Sequence, residues 1–407
     1  MKGFTSKIVH SDRLDTIEHG SLHKPVHSTV AYGYEDARDL AAVFQGKQSG
    51  FTYGRQVNPT VEALQSKISK MENGLASVCF STGMAAIGTM LFALLRRGDH
   101  FVSSSYLFGN TNSLFMTFET QGIDVTFVDA TDVDEVASAI RDNTKLVFLE
   151  TIANPRTQVA ALAEIGALCV ERNLIYVVDN TMTSPYLFQP STVQASLVIN
   201  SLTKYIGGHG NALGGAVTEM GQYDWQTFAN IYDTYRGSDY RMWAITQIKK
   251  KGLRDFGASL APEAAHHLAV GAETLALRMD RQCDNTQAMA EYLNGHALVQ
   301  QVYYPGLPEH PQFDRAANLF RRSGALFSFE LDSSVDIWAF MNRLQLIIKS
   351  SNLGDNRTLA IPVAHTIYFE MGPERRASMG IDESLIRISV GIEEIADLLE
   401  DLRTALE

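Results

Sequence analysis

Residues 197–215 read LVINSLTKYIGGHGNALGG and combine an apolar run, a lysine and a glycine-rich turn. The apolar run at 197–200 is typical of a strand that is covered on both faces of a sheet. Lys204 follows the end of that strand, which is where α/β proteins bind ligands. Ser201 and Thr203 lie on one face of the extended segment and can donate hydrogen bonds to a phosphate. Desolvation lowers the pKa of an amine towards the neutral form that imine formation needs, although this segment alone also fits a solvated lysine.

Similar apolar runs extend from this segment in both directions along the chain. The predicted strands are residues 76–80, 101–104, 125–128, 146–149, 175–178, 197–200 and 214–218. The predicted helices between them include residues 84–95, 112–121, 133–141 and 162–172. This alternation predicts an α/β fold with a parallel or mostly parallel sheet.

The chain is long enough to form a second, smaller domain. Its 407 residues exceed the size of a comfortable single core. The first sixty residues are irregular, apart from a helix-like stretch near 36–45, and residues 257–293 predict one long helix or two. The strands predicted at 325–330 and 385–390 and the closing helix at 393–406 complete the pattern. We therefore predict an N-terminal arm at 1–60, a large domain at 61–257 and a small domain at 258–407.

Two further segments supply chemistry that complements Lys204. Asp179 ends the apolar run 175–178, and a carboxylate in that place can keep a pyridine nitrogen protonated. Gly83 joins a strand to an apolar helix, whose first backbone N–H groups can bind an anion. Each feature alone has a plain structural explanation, a helix cap. Their order on one sheet predicts a pyridoxal 5′-phosphate (PLP) enzyme with a phosphate cradle, a ring partner and an imine-forming lysine.

Composition argues against several kinds of partner. The formal charge of −12 argues against a nucleic-acid partner, because binding a phosphate backbone needs a basic face. No apolar run approaches the roughly 18 residues that cross a bilayer, and the N-terminus has no secretory apolar region. Three widely spaced cysteines predict reduced side chains and not a disulfide framework. We expect a cytoplasmic protein without a membrane partner.

The spacing of three histidines invites a metal-site interpretation. His19, His23 and His27 are four residues apart, which would suit a metal ion on one helix face. Gly20 and Pro25 interrupt such a helix. We therefore predict no metal site.

The lysine segment resembles that of the Cys/Met-metabolism PLP enzymes, the cystathionine γ-synthase-like branch of fold type I. Other segments similar to this family follow the family's order along nearly the whole chain. They are YGR (53–55), NPT (58–60), STGMAAI (81–87), FGNT (108–111), ETIANP (150–155), VVDNT (177–181), SNLGD (351–355) and LIRISVGIE (385–393). The resemblance implies the PLP-dependent transferase fold type I, with a mostly parallel seven-stranded sheet in a large domain and a smaller C-terminal α/β domain.

The resemblance also implies how the cofactor is held. Lys204 would carry PLP as a Schiff base and then act as a general base on the substrate α-proton, and Asp179 would pair with the pyridinium. The phosphate would be held by the backbone amides of Gly83 and Met84 and by Ser201 and Thr203.

For the substrate and the assembly, the resemblance implies further roles. Arg387 would bind the α-carboxylate as a bidentate fork. Asn154 would hydrogen-bond the cofactor or that carboxylate. Tyr53 and Arg55 would reach the phosphate of a neighbouring subunit, with Tyr53 counted as catalytic, which implies a homodimer with shared active sites that pairs into a homotetramer. Asn352 and Asn110 complete the predicted substrate contacts.

Departures from the family pattern bear on the substrate. Phe108 stands where most relatives stack a tyrosine on the cofactor, although Tyr106 lies two residues away. Asn110 stands where methionine γ-lyase-like members carry a cysteine, and Asn211 replaces a usual aspartate. SNLGD together with Phe108 is most similar to the O-succinylhomoserine sulfhydrylase subgroup. The loop IPVAHTIYFEMGPERR (361–376) departs from that subgroup.

The functional prediction is γ-replacement or γ-elimination on L-homoserine-derived amino acids. The first interpretation is an O-succinyl- or O-acetylhomoserine sulfhydrylase or a cystathionine γ-synthase. The alternative is a γ-lyase that acts on methionine, cystathionine or canavanine. An interpretation of another class is a PLP-binding regulatory protein, against which the joint presence of Lys204, Asp179 and Arg387 argues.

Overall fold

The computed structural model describes residues 2–14 and 17–407, in which two β-sheets are covered by helices. The strands of the first sheet are β1 (Ala76–Phe80), β2 (His100–Ser104), β3 (Asp124–Val128), β4 (Thr144–Glu150), β5 (Ile175–Asp179), β6 (Leu197–Asn200) and β7 (Gly215–Glu219). Their spatial order is β1-β7-β6-β5-β4-β2-β3. Strand β7 runs antiparallel to both neighbours, and the other pairs are parallel. The mostly parallel seven-stranded sheet predicted from the sequence is confirmed.

The second sheet lies in the C-terminal part of the chain. Its strands are β8 (Val299–Tyr303), β9 (Leu326–Leu331), β10 (Ile348–Lys349), β11 (Leu359–Pro362) and β12 (Leu385–Ser389), in the order β10-β11-β12-β9-β8. The predicted strands 325–330 and 385–390 correspond to β9 and β12. The other three were not predicted from the sequence, because they are short or lie at a partly exposed edge.

Helices surround both sheets. The α-helices are α1 (Phe4–Val9), α2 (Ala37–Phe44), α3 (Pro59–Glu72), α4 (Gly83–Leu94), α5 (Gly109–Thr120), α6 (Val133–Ala139), α7 (Leu162–Glu171), α8 (Ser184–Leu187), α9 (Trp243–Gln247), α10 (Arg254–Phe256), α11 (Pro262–Glu273), α12 (Leu275–Asn294), α13 (Phe313–Leu319), α14 (Ile337–Arg343), α15 (Pro373–Ser378) and α16 (Ile395–Leu406). A π-helical turn, Ile248–Leu253, joins α9 to α10. The region 257–293 thus forms two helices, α11 and α12. None of the helices within residues 2–14 and 17–407 has the length and apolar character needed to span a bilayer.

The carboxyl ends of β4, β5 and β6 meet at one edge of the first sheet. Glu150 at the end of β4 is paired in register with Asp179 at the end of β5. The buried Glu72 of α3 accepts hydrogen bonds from Asn180 at 3.0 Å and from Asn200 at 2.6 Å. This carboxyl group therefore links the ends of β5 and β6, directly after Asp179 and directly before Ser201.

The turn after Lys204 is held from the second half of the chain. Arg278 of α12 donates hydrogen bonds to the carbonyl oxygens of Tyr205 at 2.6 Å and Ile206 at 3.1 Å. Its side chain is buried, and burial lowers its pKa to about 10, so it stays charged at neutral pH. The lysine segment is thereby fixed between the first sheet and α12.

Candidate active site

A cavity of about 710 Å³ opens at the carboxyl edge of the first sheet and extends to β12 of the second. All the predicted site residues except Tyr53 and Arg55 line it. They are Gly83, Met84, Phe108, Asn110, Asn154, Asp179, Ser201, Thr203, Lys204, Asn352 and Arg387. The fold thus gathers residues that are spread over three hundred positions of sequence into one cleft.

Lys204 lies in this cavity as a partly desolvated amine. Its Nζ donates a hydrogen bond to Oδ1 of Asn352 at 2.7 Å. Burial, followed by the charge of Arg387, lowers the pKa of Lys204 to about 8. An amine with this pKa has an appreciable neutral fraction near neutral pH and is suited to imine formation.

Asp179 lies at the end of β5 with 9% of its surface exposed. It accepts the backbone N–H of Thr181 at 2.9 Å. Burial raises the pKa of Asp179 to about 6, while this hydrogen bond opposes the rise. The carboxyl group is therefore ionised at neutral pH and can accept a hydrogen bond from a protonated ring nitrogen.

The start of α4 has the geometry of an anion-binding site. Thr82 caps the helix by accepting the N–H of Ala85 at 3.0 Å. The amides of Gly83 and Met84 belong to the first turn, whose donors have no acceptor within the helix. A Cβ atom on Gly83 would lie 3.0 Å from Cβ of Ser201, so a larger residue would push Ser201 away by a few tenths of an ångström. The start of α4 therefore lies next to the segment 201–203, which carries the hydroxyl groups of Ser201 and Thr203.

Arg387 is a buried cation at the opposite wall. Its Nη1 donates to Oδ1 of Asn154 at 3.2 Å, and its Nη2 donates to the carbonyl oxygens of Ser351 at 2.9 Å and Asn352 at 3.1 Å. Its Nε is buried and has no hydrogen-bond partner among the described residues. Burial lowers the pKa of Arg387 to about 10, so the guanidinium remains charged. A buried unpaired donor on a cation is suited to an anionic ligand group.

The structure also distinguishes Phe108 from Tyr106. Phe108 lines the cavity at the start of α5. The hydroxyl of Tyr106 donates instead to Oδ2 of Asp129 at 3.0 Å, and Tyr106 is not among the lining residues. Of the two aromatic residues considered for the stacking position, Phe108 is therefore the one that lines the cavity, and it has no hydroxyl group.

Tyr53 and Arg55 lie away from the cavity of their own chain. The Arg55 guanidinium carbon lies 5.4 Å from the centre of the Tyr53 ring, and its Nη1 donates to the carbonyl oxygen of Arg254. Tyr53 is 43% exposed. The structure of one chain therefore does not bring this pair to the other predicted residues.

Several lining residues were missed as individuals by the sequence analysis. Glu150 and Thr181 lie within the quoted segments ETIANP and VVDNT, so the signal for both was present. The loop after β11 also contributes His365, Phe369 and Glu370 to the wall. Buried Tyr368 of this loop donates to the carbonyl oxygen of Asn154 at 2.6 Å. No local sequence pattern distinguishes a tyrosine with such a distant partner.

The histidine-rich stretch near the N-terminus is not a helix face. His19 has a left-handed backbone, with φ of 56°. His23 lies within a group with Asp12 and Glu273 whose possible ligand atoms are within 4.8 Å of one another. However, the buried ammonium of Lys67 is 3.6 Å from Asp12 and 3.0 Å from Glu273. Both carboxylates of the group are therefore engaged in ion pairs with this lysine.

The residues of the main cavity fit PLP. The cofactor needs an amine for its aldehyde, a carboxylate for its ring nitrogen and N–H or O–H donors for its phosphate. Lys204, Asp179 and the pair Gly83 and Ser201 supply these groups within one cleft. Gly83 and Met84 line the cavity at the start of α4, where the first backbone N–H groups can bind a phosphate.

Solved structures share this fold over the whole chain. A putative O-acetylhomoserine (thiol)-lyase from Campylobacter jejuni, which carries a pyridoxyl-lysine-phosphate group, has a TM-score of 0.93 at 29% identity and covers 99% of both chains. A cystathionine gamma synthase from Xanthomonas oryzae has a TM-score of 0.88 at 31% identity, covering 100% of this chain and 98% of that one. The protein therefore belongs to the PLP-dependent enzymes of fold type I.

The sequence comparisons give the family. A family model described as Cys/Met metabolism PLP-dependent enzyme matches residues 5–407. An L-methionine gamma-lyase from Fusobacterium nucleatum subsp. polymorphum is 35% identical over 100% of this chain and 98% of its own length. An O-acetyl-L-homoserine sulfhydrylase from Leptospira meyeri is 32% identical over 94% of this chain and 92% of its own. The chain belongs to the Cys/Met-metabolism PLP-dependent family, as the lysine segment predicted, and it is a lyase or transferase of the trans-sulfuration type.

Proposed function

We propose that this enzyme replaces the γ-acetyloxy group of O-acetyl-L-homoserine with a sulfur nucleophile, so that acetate leaves from Cγ. The observation that carries the proposal is that Phe108 lines the cavity, whereas the hydroxyl of Tyr106 binds Asp129 outside it. The side chain at the stacking position has no proton to give to a leaving group. A carboxylate leaves without one, because its conjugate acid has a pKa of about 4, whereas a thiol has a pKa of about 8.5. An acylated homoserine therefore suits this site better than a thioether.

The side chains of the cavity would divide the work as follows. Asp179 holds the proton of the cofactor ring nitrogen, and Arg387, which lines the cavity, binds the substrate carboxylate with Asn154 beside it. Bound PLP supplies the electron sink that makes the substrate α-proton acidic. Lys204 Nζ takes that proton and returns protons as the γ-acyloxy group leaves from Cγ as a carboxylate and sulfide forms the new Cγ–S bond. Asn352, within 2.7 Å of this amine, orients it.

The charge of the cavity favours an acetyl over a succinyl leaving group. The lysine and arginine side chains among the described lining residues are Lys204 and Arg387, which already serve the cofactor and the α-carboxylate. His365 is engaged with Glu383 at 3.4 Å, and Glu370 adds negative charge to the wall. A second carboxylate on the substrate would lack a free lysine or arginine partner among the described lining residues of one chain.

A second candidate is a γ-lyase that acts on methionine or a related amino acid. It is favoured by the similarity to L-methionine gamma-lyases, of which that from Fusobacterium nucleatum subsp. polymorphum is 35% identical. Elimination and replacement use the same cavity residues and differ in whether water or a thiol completes the reaction.

Product identification by mass spectrometry tests the two candidates. The holoenzyme receives O-acetyl-L-homoserine, O-succinyl-L-homoserine, methionine or canavanine, each with and without sulfide. We expect homocysteine from O-acetylhomoserine only when sulfide is present, with a lower rate from the succinyl ester. Turnover of methionine or canavanine to 2-oxobutanoate while both esters remain unreacted would contradict the proposal and establish the γ-lyase.

We also propose that the active enzyme is a homodimer with shared active sites, paired into a homotetramer. Tyr53 and Arg55 lie outside the cavity of their own chain, where they are available to a neighbouring subunit. A cytoplasmic location is proposed as well, because the three cysteines, Cys79, Cys169 and Cys283, are unpaired and buried, as expected in a reducing compartment.

A further inference from the structure

A second buried carboxyl group lies beside Asp179 at the edge of the cavity. Glu150 ends β4, is paired in register with Asp179 and lines the same cavity. The two residues are 8% and 9% exposed, respectively. Glu150 neither binds the substrate nor moves a proton in the proposed reaction.

Glu150 contacts the backbone of the residue whose ring faces the cavity. Its Oε1 accepts the N–H of Phe108 at 2.9 Å. The carbonyl oxygen of Phe108 accepts the N–H of Thr111 at 2.9 Å, in the first turn of α5. The hydroxyl of Tyr368 lies 3.2 Å from the carbonyl oxygen of Leu107. The backbone of Phe108 is thus held from both sides, and Glu150 provides the hydrogen bond on one of them.

The charge state of the pair follows from its surroundings. Two buried carboxyl groups on adjacent strands oppose each other's ionisation, so one of them keeps its proton. Asp179 accepts a backbone N–H and has its pKa raised only to about 6, by burial. Burial, followed by the charge of Asp179, raises the pKa of Glu150 to about 8. The other ionisable groups near Glu150 are the Tyr368 phenol and, facing that phenol, Arg387.

We propose that Glu150 is a positioning residue of the cofactor site that acts as a neutral carboxylic acid. It fixes the backbone of Phe108 so that the ring lies against the cofactor, and it leaves the negative charge of the pair to Asp179. A neutral neighbour keeps that single charge opposite the ring nitrogen. The inference rests on the proposed roles of Phe108 and Asp179, and it is independent of which amino acid is the substrate.

Two substitutions separate the hydrogen bond from the charge. Glu150→Gln keeps an oxygen acceptor for the Phe108 N–H and is neutral at every pH. Glu150→Ala removes the acceptor and leaves a cavity. Glu219 of β7 provides matched controls, because it is fully buried, burial raises its pKa to about 8, and it accepts the N–H of Gly221 at 3.0 Å. It is not among the residues that line the active-site cavity.

The readout is cofactor binding by the apoprotein, measured as the PLP dissociation constant and the visible circular dichroism of the bound cofactor. We expect Glu150→Gln to stay within about twofold of the wild type and Glu150→Ala to bind about tenfold more weakly with an altered dichroism, because a buried donor loses its acceptor. Glu219→Gln and Glu219→Ala should leave both quantities unchanged once folding is verified by thermal unfolding.

Two results would overturn the inference. Equal weakening by Glu150→Gln and Glu150→Ala would mean that the carboxylate charge is needed, and wild-type binding by Glu150→Ala would mean that the contact with Phe108 is dispensable. If Glu150→Ala fails to fold, the glutamine variant still decides between the neutral and the charged form. None of these readouts involves turnover, so they stand apart from a failure of the sulfhydrylase assignment.

Discussion

At the scale of single residues, burial makes Lys204 reactive. Its pKa of about 8 results from desolvation and the nearby Arg387 charge, compared with about 10.4 for a free lysine. At pH 7 about a tenth of the amine is then neutral, instead of less than about a thousandth. The hydrogen bond to Asn352 orients the amine within the cavity.

Capture of PLP by the apoprotein should follow this titration. Because only the neutral amine reacts with an aldehyde, the rate should rise with pH through a midpoint near 8 and level off above it. Stopped-flow absorbance from pH 6 to about 10 measures the profile, with the Asn352→Ala protein as a comparison. A midpoint near the value of a free lysine would show that the site does not lower the pKa.

Phe108→Tyr should shift the enzyme towards thioether substrates. A phenol at this position can protonate a leaving thiolate, and a positioned acid typically contributes about 10²-fold or more. We expect the ratio of kcat/KM for methionine to that for O-acetylhomoserine to rise at least about tenfold. Tyr106→Phe is the matched control, because its hydroxyl binds Asp129 outside the cavity. A ratio that does not change would remove the leaving-group argument.

The residues that the sequence predicted differ in kind from those it missed. Lys204 and Asp179 follow apolar strands and lie in recognisable segments, so local context was sufficient. The importance of Glu150 depends on its pairing with Asp179 across two strands, which local sequence does not show. Tyr368 is 214 residues from its partner Asn154, and only the folded chain brings them together.

At the scale of secondary structure, burial on both faces made the first sheet predictable. Most of its strands are rich in buried apolar residues, as in β5, in which every residue is buried. β8 has exposed residues in its middle and β11 ends at a proline, so both lack this signal. Helix α3 was also missed, because its sequence PTVEALQSKISKME is mostly polar although its inner face is buried.

Gly83→Ala should test the anion cradle at the start of α4. The new Cβ would lie 3.0 Å from Cβ of Ser201, so the start of α4 and the segment 201–203 would have to move apart by a few tenths of an ångström. We expect the PLP dissociation constant of the apoprotein to rise about tenfold with little change in the thermal unfolding temperature. Gly88→Ala in the same helix is the control, since its Cβ would make an ordinary 3.5 Å contact with Leu114. Equal effects of both substitutions would indicate a general disturbance of α4.

At the scale of the whole molecule, two features matter for function: the division of the chain into two α/β units and the proposed assembly of subunits. The two-part architecture, a large and a smaller α/β unit, was predictable from length and strand order, while the boundaries at 60 and 257 remain predictions. The proposed oligomer rests on the positions of Tyr53 and Arg55, because the predicted role of these residues is not fulfilled within their own chain. The resemblance to the family implied that a neighbouring subunit receives these two side chains. Neither of them lines the cavity of its own chain, which agrees with that role.

Shared active sites predict complementation between two inactive variants. Lys204→Ala removes the amine from its own cavity, and Arg55→Ala removes a contact that the chain would supply to its neighbour. A mixed dimer contains one site in which both residues are present. Co-expression should therefore restore about a quarter of the wild-type activity, since about half of randomly paired dimers are mixed and each has one intact site. Activity that stays at the level of the separate variants would contradict shared sites.

The most direct test that Lys204 carries PLP is reduction of the holoprotein with borohydride, followed by peptide mass spectrometry. Reduction converts the imine between PLP and a lysine into a stable amine, which marks the residue that carries the cofactor. We expect a phosphopyridoxyl group on Lys204 in the peptide that contains SLTKYIGG, and no such group in the Lys204→Ala protein. Modification of a different lysine, or no modification in a protein that binds PLP, would contradict the assignment of this cavity as the active site.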